Sequence, residues 1–157
     1  MQRESDAGPQ PMGARTHVQR QARGWFLLAG AIYAVILVGA LAPDGHAGGI
    51  DLVPLVRQFK EIAGWLRGRD SPSVMEDIAI NLLLLIPFAV PLSRGFQLLR
   101  GPRRFALPSL LIGSAASVVI EFCQLFAPSR VTDTSDIILN SLGVALTVWF
   151  MRRFASR

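Results

Sequence analysis

Residues 25–42 read WFLLAGAIYAVILVGALA, an unbroken apolar run with no charged side chain. Its length matches a helix crossing a hydrocarbon core of about 30 Å, so this stretch places the chain in a membrane. Composition agrees. Hydrophobic residues make up 51% of the protein and charged ones 17%, with a mean hydropathy of +0.40, whereas a water-soluble domain carries about 25% charge. Three more apolar runs follow. One covers 78–92 and continues toward Leu99, one covers 105–126, and a shorter one covers 135–151. The chain therefore reads as all-α, a membrane-embedded bundle of four transmembrane helices. Pro87 and Pro91 predict a kink in the second span, tolerated where neighbours satisfy the freed carbonyl. The short fourth run implies local thinning or snorkelling of Arg152 and Arg153.

Outside the runs, residues 1–23 are polar, contain four Arg and show no apolar periodicity, which predicts a disordered cytoplasmic tail before a transmembrane domain over 24–154. A cleaved signal peptide is the alternative for the first run, since Arg15, Arg20 and Arg23 precede it and Ala40-Leu41-Ala42 fits a small-x-small cleavage site. The run exceeds the usual signal length of about 7 to 15 apolar residues, which favours a retained helix. Lys and Arg are divided unequally between the two sides. Eleven lie in the tail, the middle loop (Arg94, Arg100, Arg103, Arg104) and the C-terminus, against five in the other loops. The richer side faces the cytoplasm, so both termini are expected inside the cytoplasmic membrane. The basic residues flank apolar runs and lack interleaved aromatics, which argues for anionic lipid heads and against nucleic acid.

In the first outer loop, Leu52, Leu55, Val56, Phe59, Ile62, Ala63 and Leu66 recur at helical spacing, with Arg57, Lys60 and Glu61 on other faces. The pattern predicts an interfacial amphipathic helix, lying on lipid or on the protein itself. Cys123 is the single cysteine, so an intramolecular disulfide is impossible.

Chemistry would come from polar residues where lipid normally excludes them. Asn81 sits about a turn below the outer end of the second span. Glu121 and Gln124 lie near the outer end of the third span, Asp136 and Asn140 near that of the fourth, and Arg130 and Asp133 in the loop between. All seven fall in one outer layer. Glu121 and Gln124, like Asp136 and Asn140, share a helix face. Ser109, Gly113 and Ser117 lead to Glu121 as a small-xxx-small stripe. Asn140, Gly143 and Thr147 form a similar stripe, so the third and fourth spans are expected to pack tightly and aim Glu121 at Asp136 and Asn140. A charge at mid-helix costs about 2.5 to 3.5 kcal/mol, and Arg130 is the cation nearest to Glu121 in sequence and depth. A purely structural account pairs those two, leaves the amides as interhelical glue, and gives Asp133 and Asp136 helix-capping roles.

These residues carry a resemblance. The spacing Glu121-x-x-Gln124, then Arg130-x-x-Asp133-x-x-Asp136-x-x-x-Asn140-x-x-Gly143, resembles the VanZ-like family of bacterial membrane proteins. NLLLLIP at 81–87 resembles its Asn and Pro segment, and DLVP at 51–54 its NLIPF-like stretch. Departures are Asp51 for Asn, Ala89 for Gly and Thr147 for a second small residue. The family takes its name from a protein linked to teicoplanin resistance, so the resemblance implies a cell-envelope context but no reaction.

Two functions follow as expectations. In the first, the outer layer binds, and as an enzyme modifies, a lipid-linked or cell-wall-related ligand. Glu121 and Asp136 are then the candidate acid and base, and Asn81, Gln124, Arg130, Asp133 and Asn140 hold the ligand. In the second, the protein is a structural or partner subunit of envelope machinery whose polar groups only lock the bundle. No cofactor is expected and no metal site is assigned, although Glu121, Asp133 and Asp136 offer oxygen ligands to a hard cation. His17 and His46 lie outside the layer, which disfavours His-based chemistry. Transport fits less well, because the polar groups occupy one leaflet.

Overall fold

The computed structural model describes residues 12–41, 49–51, 73–127 and 131–155. Its elements are α1 (Met12–Leu41), β1 (Gly49–Asp51), α2 (Ser73–Leu84), α3 (Ile86–Arg100), α4 (Ala106–Gln124), β2 (Val131–Asp133) and α5 (Thr134–Ala155). Four helical stretches are long and apolar enough to cross a membrane: 15–41, 78–100, 106–124 and 134–154. The bundle expected from the four runs is therefore present. The expected amphipathic helix over 52–66 lies outside the described residues.

The first helix begins earlier than the change in polarity. Its residues 12–23 are helical although this stretch reads as tail. A helix already nucleated in a span extends at one hydrogen bond per residue, and the Arg, Gln and Ala here are good helix formers.

The second span is interrupted at Leu85, between α2 and α3. Pro87, just downstream, lacks an N–H, crowds the carbonyl four residues back and disfavours helical geometry before it, so the expected kink becomes a break. At the other end of α3, Gly101 takes φ 80° and its N–H donates to Gln97 O at 2.9 Å. That positive φ is the glycine-favoured helix stop, and it turns the chain into α4.

The core collects Leu85, Phe88, Ala89 and Leu92 from the second span, Phe105 and Ile120 around the third, and Val144 and Val148 from the fourth. The first helix packs chiefly on α3. Phe26 meets Phe96 edge-on at 5.0 Å between centroids, and Tyr33 meets Phe88 at 5.2 Å. Gly95 leaves room for Phe26, whose Cε1 would lie 2.7 Å from a Cβ there. Outward-facing positions are apolar too, among them Leu27, Val35, Leu83, Leu111, Phe122 and Trp149. An apolar outer surface is what lipid requires. Two buried hydroxyls in this setting bond back along their own helices: Ser109 Oγ donates to Phe105 O at 2.8 Å, and Thr147 Oγ1 to Gly143 O at 2.9 Å.

One element has no counterpart in the sequence reading. Strands β1 and β2 pair in parallel, with Gly49 opposite Val131, Ile50 opposite Thr132 and Asp51 opposite Asp133. Three residues on each side join the segment after the first span to the segment before the fourth.

Candidate functional site

The site rests on the hairpin of α4 and α5, whose register is set by one close approach. A Cβ on Gly113 would overlap the Val144 side chain, so these two residues face each other across the hairpin. The helices run antiparallel, and each further turn toward the C-terminal end of α4 pairs residues at equal depth. One turn out are Ser117 and Asn140, and two turns out are Glu121 and Asp136. Burial follows this register: Ser117, Glu121 and Asn140 are almost wholly enclosed, with Glu121 3% and Asn140 1% exposed, and Asp136 is half-buried. The expected close packing of the third and fourth spans is thus present, and the two candidate carboxylates share a level.

The stripe on the fourth span behaves differently from expectation. Gly143 admits α2 rather than α4, since a Cβ there would overlap the carbonyl oxygen of Leu82. That approach brings the second span beside the fourth, where Asn81 Nδ2 donates to Asp136 Oδ1 at 2.6 Å. An amide N–H donating to a carboxyl oxygen at this distance is at the short end of the range for such bonds. Asp136 is therefore held by α2, a partnership that helical spacing within the fourth span cannot reveal.

Gln124, 9% exposed, donates through Nε2 to Ala40 O at 3.1 Å. Ala40 lies in the last turn of α1, where carbonyls lack intrahelical partners, so Gln124 completes that helix end. Tyr33 adds a second tie between the first and third spans, its hydroxyl donating to Ala116 O at 2.8 Å. Neither Tyr33 nor Ala40 is marked by the sequence pattern, because a tyrosine in an apolar run and a backbone carbonyl look ordinary there.

After these bonds, several enclosed oxygens have no hydrogen-bond partner among the described residues. They are Asn140 Oδ1, Gln124 Oε1 and Ser117 Oγ, together with Ser93 Oγ on α3. Ser117 reads in sequence only as a small packing residue, yet its hydroxyl lies one turn from Glu121 and belongs to the same polar layer. Asp133 closes β2 opposite Asp51. Arg130, and with it the expected Glu121–Arg130 pair, lies outside the described residues.

Chemically, the layer offers two carboxylates, two amide oxygens and a hydroxyl at neighbouring depths, with the amide N–H groups of Asn81 and Gln124 already engaged. Among the described residues no group of three or more His, Cys, Asp or Glu side chains gathers as a metal site. The arrangement can accept hydrogen bonds and, through Glu121 or Asp136, exchange a proton.

Neither characterised proteins nor solved structures give a match to this chain. The family model described as VanZ/LLP1 matches residues 25–155, from the start of the first span to the end of α5. That range holds every element of the polar layer, and the four-span protein belongs to the VanZ/LLP1 family.

Proposed function

We propose that the outer polar layer is a ligand pocket for a lipid-linked or cell-wall-related molecule, in a protein of the cytoplasmic membrane with both termini inside. In this reading Glu121 and Asp136 are the acid and base candidates. Asn81, Gln124, Asp133 and Asn140 line the pocket, and Arg130 holds an anionic part of the ligand. The teicoplanin context of the family's name gives an envelope-antibiotic phenotype as the readout.

The observation that carries this reading is the set of enclosed, unpartnered oxygens on Ser117, Gln124 and Asn140, at neighbouring depths along the third and fourth spans. A layer serving only as a lock satisfies its own groups, because each buried orphan costs about 1 to 3 kcal/mol. The Asn81–Asp136 and Gln124–Ala40 bonds favour a second reading, a structural or partner subunit whose polar residues fasten the helices.

The two readings separate at Glu121. Glu121→Gln keeps shape and most hydrogen bonding. For a pocket acid, base or ligand contact, folded yield persists while the susceptibility phenotype is lost, and Arg130→Gln added to it rescues nothing. For a structural Glu121–Arg130 pair, the single mutant loses stability by about 3 to 5 kcal/mol if fully buried, and the double mutant recovers much of it. A well-folded Glu121→Gln protein with a normal phenotype would end the catalytic reading.

A further inference from the structure

The outer half of the second span is held differently from its inner half. Below the break, α3 buries six residues, Phe88 and Leu92 among them, and Leu85 at the break is fully enclosed. Above it, none of the α2 residues whose exposure is described, 75, 76 and 78–84, is buried. α2 packs chiefly on α5, whereas α1 packs chiefly on α3. The joint between the two halves therefore sits in the core, while the helix beyond it rests mainly on one neighbour.

That joint is built to bend. Pro87 brings no N–H, so the carbonyl of Leu83 lacks an intrahelical donor, and Pro91 leaves the carbonyl of Pro87 in the same position. Two rungs of the hydrogen-bond ladder are missing near Leu85, and hinges form where a few element-terminal residues absorb the change in backbone angle. Pro87 is itself exposed, so its ring is not clamped by neighbours.

Two contacts on α5 fasten α2. Asn81 donates to Asp136, and the backbone of Leu82 rests on Gly143. A glycine offers no side chain to interlock, so the second contact parts without a rotamer change. Asp136, Asn140 and Gly143 follow at i, i+4 and i+7, on one face of α5. Asn140 therefore lies between the two fastening points, on the face that α2 covers. It is 1% exposed, and its Oδ1 is unpartnered.

We infer that α2 is a flap, hinged at Leu85–Pro87 and latched through Asn81 and Asp136, that swings off α5 and opens Asn140 and the polar layer to the outer leaflet. The inference rests on the pocket reading and supplies the route by which a membrane ligand enters sideways.

The test uses the full-length protein in lipid nanodiscs, in a Cys123→Ser background, and needs no ligand. Spin labels at Ile80 and Val35, both exposed, report the distance from α2 to α1, and labels at Leu111 and Val35 report the rest of the bundle. The latched wild type should give one distance for each pair. Asn81→Leu releases the latch and should add a second distance to the first pair only. Pro87→Ala returns a donor to Leu83 and should remove that second distance even beside Asn81→Leu. Asn140→Cys, labelled in the same nanodiscs by a small charged thiosulfonate, reads access directly. Its rate should rise about tenfold with Asn81→Leu, the factor that loss of one such hydrogen bond gives, and fall back with Pro87→Ala. A single, unchanged distance for the first pair in Asn81→Leu would overturn the flap, as would a labelling rate indifferent to both substitutions. A rigid α2 beside the phenotype loss expected of Glu121→Gln would overturn the flap and leave the pocket reading standing. A moving α2 beside a normal Glu121→Gln phenotype would overturn the pocket, and with it the flap's role in access.

Discussion

Replacing Gly143 by alanine puts a methyl group against the carbonyl oxygen of Leu82, which belongs to the backbone of α2 and cannot rotate away. The second and fourth spans must then move apart. Their separation stretches the 2.6 Å bond between Asn81 and Asp136 beyond useful length. Overpacking of this kind costs about 1 to 3 kcal/mol, and a hydrogen bond to a charged group contributes about 1.5 to 3. Against these, alanine in a helix gains about 0.5 to 1 kcal/mol over glycine. The expected loss is about 1.5 to 5.5 kcal/mol, which for a chain of this size lowers the melting temperature by about 3 to 20 °C. Gly30→Ala is the matched control, since a Cβ there meets nothing within 4 Å. It should be neutral or slightly stabilising. Thermal unfolding in one detergent, followed by size exclusion, measures both. A Gly143→Ala protein as stable as the Gly30→Ala protein would refute the close approach of the second and fourth spans.

Three other outcomes follow from the same contacts. Tyr33→Phe removes the donor to Ala116 O, a carbonyl that lies within a helix ladder, so stability should fall by only about 0.5 to 1 kcal/mol in the same melting assay. At Asn81, leucine should cost about 1 to 3 kcal/mol by removing the donor to Asp136, and aspartate should cost more than leucine by setting two carboxylates together; the reverse order would show that the bond does not hold the spans. Single cysteines introduced at Arg103 and Ser129, in a Cys123→Ser background, should be labelled only from the cytoplasmic and only from the external side respectively, and labelling of the 103 position from outside intact cells would overturn the orientation.

Much of the fold is readable in the sequence because the bilayer imposes a length and a composition on each span. No tertiary knowledge is needed to find residues 25–42, and Pro87 and Pro91 announce an interruption for local steric reasons. What is not readable is mostly pairwise. Gly143 lies in a stripe that fits any neighbour, and nothing in its spacing says that α2 rather than α4 fills the groove. Gln124 bonds to a backbone carbonyl eighty-four positions away, and every residue supplies such a carbonyl. The β1–β2 ladder is only three residues per strand, too short for an alternating pattern to register, and its partners stand on opposite sides of two spans. The layer itself is legible, because depth along a helix can be counted from sequence. The helical start at Met12 is hidden for a different reason, since polar residues continue a helix that an apolar span has already begun.

The lock and the pocket need not compete for the same residues, because the amides divide between them. Gln124 uses its N–H to hold the end of α1 and keeps its oxygen enclosed without a partner. Asp136 is held through Oδ1 by Asn81, a bond that draws in the second span while leaving the carboxylate half-buried rather than sealed. Fastening therefore uses the amide N–H groups of Asn81 and Gln124, and what remains enclosed in the layer is the Gln124 amide oxygen with the Asn140 amide and the Ser117 hydroxyl. Such a set is costly to keep in a structure that no ligand visits, for each enclosed oxygen forgoes a bond it would have in water. Asn140 is the most telling case. It sits one turn inside Asp136, almost fully enclosed, and a leucine there would pack without leaving an orphan atom. Stability alone favours that leucine, and under the proposed pocket reading the asparagine is retained for the hydrogen bond its amide can offer a ligand.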